Sequence, residues 1–159
     1  MSRSIPISDG IGVLDDVEEA ERIARLIHHE WERDNPGETL DMCRADLIAG
    51  LGPGIAIPRT FVYRRNQAIV GWASILETDL FSHRHLGPWL ANMIVLPDHR
   101  GQGIARALVR HAMDYAATVS DTLYLYTDNL QTHYLSLGWR VVETLEVDGR
   151  PTVIMSWQP

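Results

Sequence analysis

Apolar residues recur along this chain in two rhythms, one helical and one extended. After the acidic pair Asp15-Asp16, the residues Val17, Ala20, Ala24, Ile27 and Trp31 are spaced by three and four. That spacing predicts an amphipathic helix with acids at its start, ended by Asn35-Pro36-Gly37. Thr39 to Ala49 reads as a second helix, with Met42, Ala45, Leu47 and Ile48 as its apolar members, and Gly50 to Gly54 as a loop. The rhythm then shortens. Thr60–Arg64 and Ala68–Leu76 read as strands joined by an Asn66-Gln67 turn. Thr78 to Pro88 is a longer connection carrying Phe81, His83 and His85. The unbroken apolar run Leu90 to Leu96 predicts a buried strand, stopped by Pro97, which has no N–H to give to a ladder.

Ile104, Leu108, Ala112, Tyr115, Ala116 and Val119 then form one face of a helix. Thr122 to Thr127 is a strand, and Leu130 to Leu137 a short helix closed by Gly138. Trp139–Val147 and Thr152–Trp157 flank Asp148-Gly149, a strong hairpin signal. A leading strand near Ile5–Ile7 is a further expectation. Interleaved strands and helices imply an α/β class of fold, a mixed sheet (α+β in its local order) with helices on both faces. At 159 residues, positions 1–159 form one domain with enough chain to bury a core.

Charge and cysteine content narrow the function. The formal net charge is −7, and 12 of the 21 acids fall within the first 46 residues. A nucleic-acid partner, which needs a basic face, is therefore not expected. An amine arriving at an acidic rim fits the same charges, as does a merely solvated helix face. No stretch is long and apolar enough to span a membrane, and the first residues carry no apolar signal segment, so a cytoplasmic location is the expectation. Cys43 is the chain's single cysteine, has no histidine beside it, and reads as a packing residue rather than a nucleophile. A homodimer is left open. No metal site is expected: no pair among His28, His29, His83 and His85 has helical i, i+4 spacing with a third carboxylate ligand.

The most informative stretch is the turn between the apolar run and the next helix, Arg100-Gly-Gln-Gly-Ile-Ala105. Strand, glycine turn and helix in that order leave backbone N–H groups unpaired at a helix start. Those groups and the helix dipole suit a phosphate, and glycine lets it approach the backbone closely. The turn lacks Gly-Lys-Ser/Thr, and the chain has no lysine, which disfavours a nucleoside triphosphate loop. Arg106 stands where a dinucleotide fingerprint wants a third small residue, which weakens that reading too.

Arg100-x-x-Gly103-x-Ala105 resembles the acyl-coenzyme A signature of the GCN5-related N-acetyltransferase (GNAT) family. Downstream, Tyr134-Leu-Ser-Leu-Gly138-Trp139 resembles the same family's Tyr-x-x-Leu-Gly-Phe element, with Trp in place of Phe. The likeness covers roughly residues 60–157. It implies the acyl-CoA N-acyltransferase fold, in which the central strand and the next one splay apart around the acyl arm. It implies acetyl-CoA as co-substrate and acetyl transfer to a primary amine of a small molecule or of an exposed peptide. It also implies site residues. Arg100, Gly101, Gln102, Gly103, Ile104 and Ala105 would hold the pyrophosphate. The backbone of Met93, Ile94 and Val95 would run beside the pantetheine arm, and Asn129 would meet that arm from the other side. Tyr134 would protonate the leaving thiolate, and a phenol is a suitable acid at neutral pH.

Direct transfer needs positioning more than a nucleophile. It does need a group to take the amine's proton, and Leu90 to Leu96 contains no carboxylate. Glu77, Asp79, His83 and His85, just before that strand, are the candidates, with Glu77 ranked first. The absent strand carboxylate leaves open a second reading, a catalytically idle acyl-CoA sensor on the same fold.

Overall fold

The computed structural model describes residues 9–31 and 37–159. The expected strand near Ile5–Ile7 and the Asn35-Pro36 helix end lie outside the described residues. Among the described residues the sheet begins instead with β1, Gly10–Val13. The helices α1 (Val17–Trp31) and α2 (Leu40–Ala49) follow. The Asp16 carboxylate accepts from the Glu18 N–H (3.1 Å), and Thr39 Oγ1 accepts from the Met42 N–H (3.2 Å). Each side chain thus satisfies one orphan donor of a helix start. In α1 the buried residues are Ala20, Ile23, Ala24 and Ile27; Ala20, Ala24 and Ile27 are those the spacing predicts, Ile23 joins them, and Val17 at the helix start is exposed.

The strands β2 (Arg59–Arg65) and β3 (Ala68–Leu76) pair as a hairpin. Asn66 and Gln67 both take positive φ (48° and 71°), as a two-residue turn with matching twist requires. The connection to β4 (Trp89–Val95) contains one 3₁₀ turn at Phe81–His83, and a second 3₁₀ turn at Pro97–His99 follows β4. Then come α3 (Ile104–Val119), β5 (Leu123–Thr127), α4 (Gln131–Ser136), β6 (Arg140–Val147) and β7 (Arg150–Trp157). Gly138 (φ 94°) ends α4, and Asp148 and Gly149 (φ 51° and 77°) make the last hairpin turn.

The seven strands form one sheet in the order β1-β2-β3-β4-β5-β7-β6. All neighbours are antiparallel except β4 and β5, which are parallel. Strand side chains alternate between faces, and each face has its own core. On one face Phe61, Val70, Ala73 and Leu90 pack against Leu108, Val109 and Ala112 of α3, with Tyr134 of α4 in the same cluster. On the other, Val62, Ile69, Trp72 and Ile94 pack against Ile23 and Ile27 of α1 and Cys43 and Leu47 of α2. That second face continues over β5 and β7, where Leu80, Trp89 and Ile154 cluster with Tyr124 and Tyr126. The cover there comes from the β3–β4 connection, not from a helix. No helix among the described residues is long and apolar enough to cross a membrane.

Candidate functional site

The sheet comes apart at its centre. Between β4 and β5 a single residue pair is in register, Trp89 with Tyr124, and the Tyr124 N–H donates to the Pro88 carbonyl (2.9 Å). Beyond that pair both strands run on without pairing to each other, so a wedge opens between their C-terminal ends. Strand backbone along such a wedge keeps its hydrogen-bonding capacity for something other than the sheet.

A bulge shapes the β4 side. Trp72 pairs with Ile94 but Ser74 pairs with Ala91, so β4 carries one extra residue there. Asn92 adopts φ 56°, a left-handed conformation that asparagine tolerates better than most residues. Past the bulge, the Leu96 N–H donates back to the Val70 carbonyl of β3 (2.8 Å). By alternation, Val95 and Met93 turn their backbone polar groups to the wedge, and Ile94 buries its side chain on the α1–α2 face. The Val95 carbonyl accepts from Arg100 Nε (2.9 Å), which ties the turn after β4 to the wedge.

That turn is built on two glycines at the start of a helix. Gly101 (φ 74°) and Gly103 (φ 82°) are both left-handed, and a Cβ built on either would meet nothing within 4 Å. The space beside the turn is open. Gly103 is the N-cap of α3 and offers no side-chain cap. The first backbone bond into the helix runs from the Ala107 N–H to the Gly103 carbonyl (3.0 Å). The N–H groups of Ile104, Ala105 and Arg106 therefore have no intrahelical acceptor, at the positive end of a 16-residue helix. The Gln102 carboxamide oxygen accepts from Arg65 of β2, which adds a second cation beside Arg100.

On the β5 side, Thr127 Oγ1 accepts from the N–H groups of Asn129 (3.4 Å) and Leu130 (3.1 Å), fixing the entry to α4. Asn129 is exposed there. Tyr134 lies on α4, 6% exposed, with its ring edge-on to Trp139 (5.9 Å) and His133 (5.2 Å). Burial pushes its phenol up to about 12, so it stays protonated at neutral pH. The turn Arg100–Ala105 thus lies at the end of β4, the backbone of Met93 and Val95 runs along the β4 edge of the wedge, and Tyr134 packs in the core on the α3 face of the sheet.

The remaining candidates sit on the β3–β4 connection. Glu77 is exposed and lines an open cleft of about 320 Å³ with Arg84, His85 and Pro88, beside the start of β4. His83 is joined to Glu143 of β6 and to Ser82, while Arg84 lies over the Phe81 ring (4.5 Å). Asp79 is partly buried and makes no hydrogen bond or ion pair among the described residues. Burial, then the charges of Glu38 and Asp46, push its carboxyl up to about 7. Cys43 is 6% exposed, and burial followed by Glu38 raises its thiol to about 11, as suits a packing residue. Among the described residues no group of three or more His, Cys, Asp or Glu side chains could hold a metal ion.

Sequence reasoning did not anticipate the bulge at Asn92 or the gathering of Glu38, Asp46 and Tyr126 around Asp79. The first had a signal, since asparagine is uncommon inside a strand and at home in left-handed backbone. The second had none, because those residues are far apart in the chain.

The acetyltransferase (GNAT) domain family matches residues 57–141, just over half the chain. No curated protein sequence matches it. Solved structures are similar in fold. An aminoglycoside 6′-N-acetyltransferase complexed with coenzyme A superimposes with TM-score 0.70 at 16% identity, covering 93% of this chain and 96% of that one. YncA of Salmonella typhimurium, solved with acetyl-CoA, gives 0.66 at 18% identity over 95% and 94%. The ribosomal-protein-alanine N-acetyltransferase of Brucella melitensis gives 0.69 at 17% identity over 94% and 99%.

Proposed function

The chain belongs to the GNAT acetyltransferase family, and from that premise we propose that it is an N-acetyltransferase that moves the acetyl group of acetyl-CoA directly to an amine. The observation that carries this reading is the continuity of the wedge between β4 and β5 with the uncapped start of α3. One groove offers an edge of free strand backbone for an amide-bearing arm and, at its end, unpaired N–H groups for phosphates. The open space at Gly101 and Gly103 fits the approach of a pyrophosphate. Arg100 and Gln102 border the same place.

Each residue then has a physical task. The turn from Arg100 to Ala105 holds the phosphates. Met93 and Val95 align the arm, with Ile94 between them turning its own backbone groups to β3, and a main-chain N–H beside the bulge polarises the thioester carbonyl and stabilises the oxyanion. Asn129 steadies the arm from the β5 side. Tyr134 gives its hydroxyl proton as a hydrogen bond to the departing sulfur. A thiolate has a pKa of about 8.5 by analogy with cysteine, so it needs only this modest help. The amine's proton goes to the β3–β4 connection, where Glu77, Asp79, His83 and His85 lie. The family's solved members act on acceptors as different as aminoglycosides and a ribosomal protein. The acceptor of this chain is therefore a small-molecule or exposed peptide amine and no narrower.

Titration calorimetry with acetyl-CoA, ATP and NAD tests the first half. Acetyl-CoA alone should bind, and preference for either nucleotide would overturn the reading. Release of free coenzyme A over a panel of amines tests the second half. Tight acetyl-CoA binding with no release over any amine would favour the idle sensor.

A further inference from the structure

We infer that Asp79 is the group that takes the proton from the acceptor amine, working from the face of the sheet opposite Tyr134. This rests on the acetyltransferase reading above. The topology supplies the first argument. On β5, Leu123 and Leu125 point to the α3 face, where Tyr134 packs, so Tyr124 and Tyr126 point to the other face. Leu80, next to Asp79, is buried in the cluster with Trp89, Tyr124 and Tyr126. The Trp89 ring lies 5.7 Å from Tyr124 and 6.2 Å from Tyr126. Asp79 is close enough to Tyr126 for its charge to act on that phenol, which sets it on the side of the sheet away from α3. Tyr126 stands two residues beyond the last β4–β5 pair, where the wedge is already open. A thioester lying in the wedge would have the sulfur's proton donor on one face and Asp79 on the other, so an amine could attack from the Asp79 side.

The surroundings of Asp79 supply the second argument. It has no partner among the described residues, and a partly buried, unpaired carboxylate is costly unless a proton or a cation joins it. The charged and titratable groups facing it are Glu38 and Asp46 from α2 and its approach, and Tyr126 from β5. Asp148, in the β6–β7 turn, acts on Tyr126 as well. None of these is a cation. On its own connection, His83 is engaged by Glu143 and Arg84 by the Phe81 ring. Burial, followed by the charges of Asp79, Glu38 and Asp148, holds the Tyr126 phenol above its ordinary range. An arriving alkylammonium ion is what such a place lacks. An ordinary aspartate is roughly a millionfold too weak a base for an alkylammonium, and a carboxylate near 7 closes about a thousandfold of that gap.

The step balances. An N–H bond of the ammonium breaks and its proton goes to an Asp79 oxygen. The freed lone pair forms the C–N bond at the thioester carbon. The C–S bond breaks, its electron pair leaves on sulfur, Tyr134 gives the sulfur a proton and recovers one from solvent, and the second amine proton passes to solvent. Asp79 then returns its proton to solvent. Glu77, in contrast, lies beside the start of β4, at the closed end of the wedge.

The test uses Asp79→Asn and Glu77→Gln, with spermidine, tyramine and a free-N-terminal peptide as acceptors. Calorimetry with acetyl-CoA comes first: failure of the wild type to bind sinks the acetyltransferase reading itself. With binding intact, Asp79→Asn should lower kcat at least a hundredfold, as acid–base groups do, and leave acetyl-CoA affinity within twofold. The wild-type rate should level off above pH 7. With spermidine and tyramine the variant's rate should keep climbing about tenfold per pH unit toward the alkylamine's own value near 10. Glu77→Gln should keep the wild-type plateau. A plateau retained in Asp79→Asn, or lost in Glu77→Gln, overturns the inference. Carbon-13 NMR of the aspartate carboxyls decides the matter even if none of these acceptors reacts. One carboxyl should titrate near neutrality and vanish in Asp79→Asn. If every carboxyl titrates below pH 5, Asp79 is not the base.

Discussion

Replacing Gly103 by alanine adds one methyl group at a left-handed position with open space beside it. Gly103 has φ 82°, and the new Cβ would touch nothing within 4 Å. The cost to the fold is thus conformational alone, about 1–2 kcal/mol for an L-residue in left-handed backbone. A domain of this size loses about 2–4 °C of Tm per kcal/mol, so Tm should drop by about 2–8 °C and the protein should stay folded. The cost to binding is separate. The methyl group occupies the open space through which a phosphate reaches the N–H groups of Ile104 and Ala105. Holding the phosphate off would weaken one hydrogen bond to a charged group, worth about 1.5–3 kcal/mol, or a 10- to 150-fold rise in Kd. Gly149→Ala is the control. Its φ is 77°, its Cβ space is also open, and it lies in the β6–β7 turn. It should show the same loss of Tm and no change in acetyl-CoA affinity. Calorimetry and thermal unfolding read both quantities. A folded Gly103→Ala protein that binds acetyl-CoA like the wild type would remove this turn from the site.

Three further outcomes follow from the same geometry. Tyr134→Phe should cut turnover tenfold to a hundredfold, about the lower range for acid–base groups, with acetyl-CoA affinity unchanged. Its Tm should hold, since the hydroxyl makes no hydrogen bond among the described residues that could be lost; full activity would leave Tyr134 a packing residue. Asp79→Asn should change the pH dependence of stability. Asp79 is raised from 3.8 to about 7 on folding, so its contribution is present below pH 4 and lost as pH rises through 7. Thermal unfolding should therefore show the variant gaining on the wild type between pH 4 and 8, and a constant difference would refute the raised value. Cys43, buried with its thiol at about 11, should resist iodoacetamide at pH 7.5 until the protein unfolds, and rapid native labelling, read by mass spectrometry, would refute that burial.

Much of this architecture was legible in the chain because the signals were local. The three-and-four spacing through Ala20, Ala24 and Ile27 located α1, and Asp148-Gly149 located the last hairpin, since both follow from rules acting within a few residues. Gly101 and Gly103 were legible for the same reason: a strand, a glycine turn and a helix in sequence leave only a few outcomes. β1 was not, because Gly10-Ile-Gly-Val13 is short and owes its strand state to pairing with Val62 and its neighbours on β2. The divergence of β4 and β5 was expected only through the family resemblance. Nothing in Leu90–Leu96 or Thr122–Thr127 says that a single pair will be in register. The setting of Asp79 is wholly tertiary. Its apolar neighbour Leu80, the tyrosine on β5 and the carboxylates of Glu38 and Asp46 meet only when the chain folds, so Glu77, nearer the strand end, looked the better base.

The central claim is that the acyl carrier lies in the wedge with its phosphates on the start of α3. Acetyl-CoA titrated into ¹⁵N-labelled protein tests it directly. The account predicts that the largest backbone shifts fall on Met93, Val95 and Gly101 to Ala105, with smaller ones at Asn129 and Tyr134. Shifts confined to the cleft around Glu77, Arg84 and His85, with Gly103 and Ile104 unmoved, would contradict it.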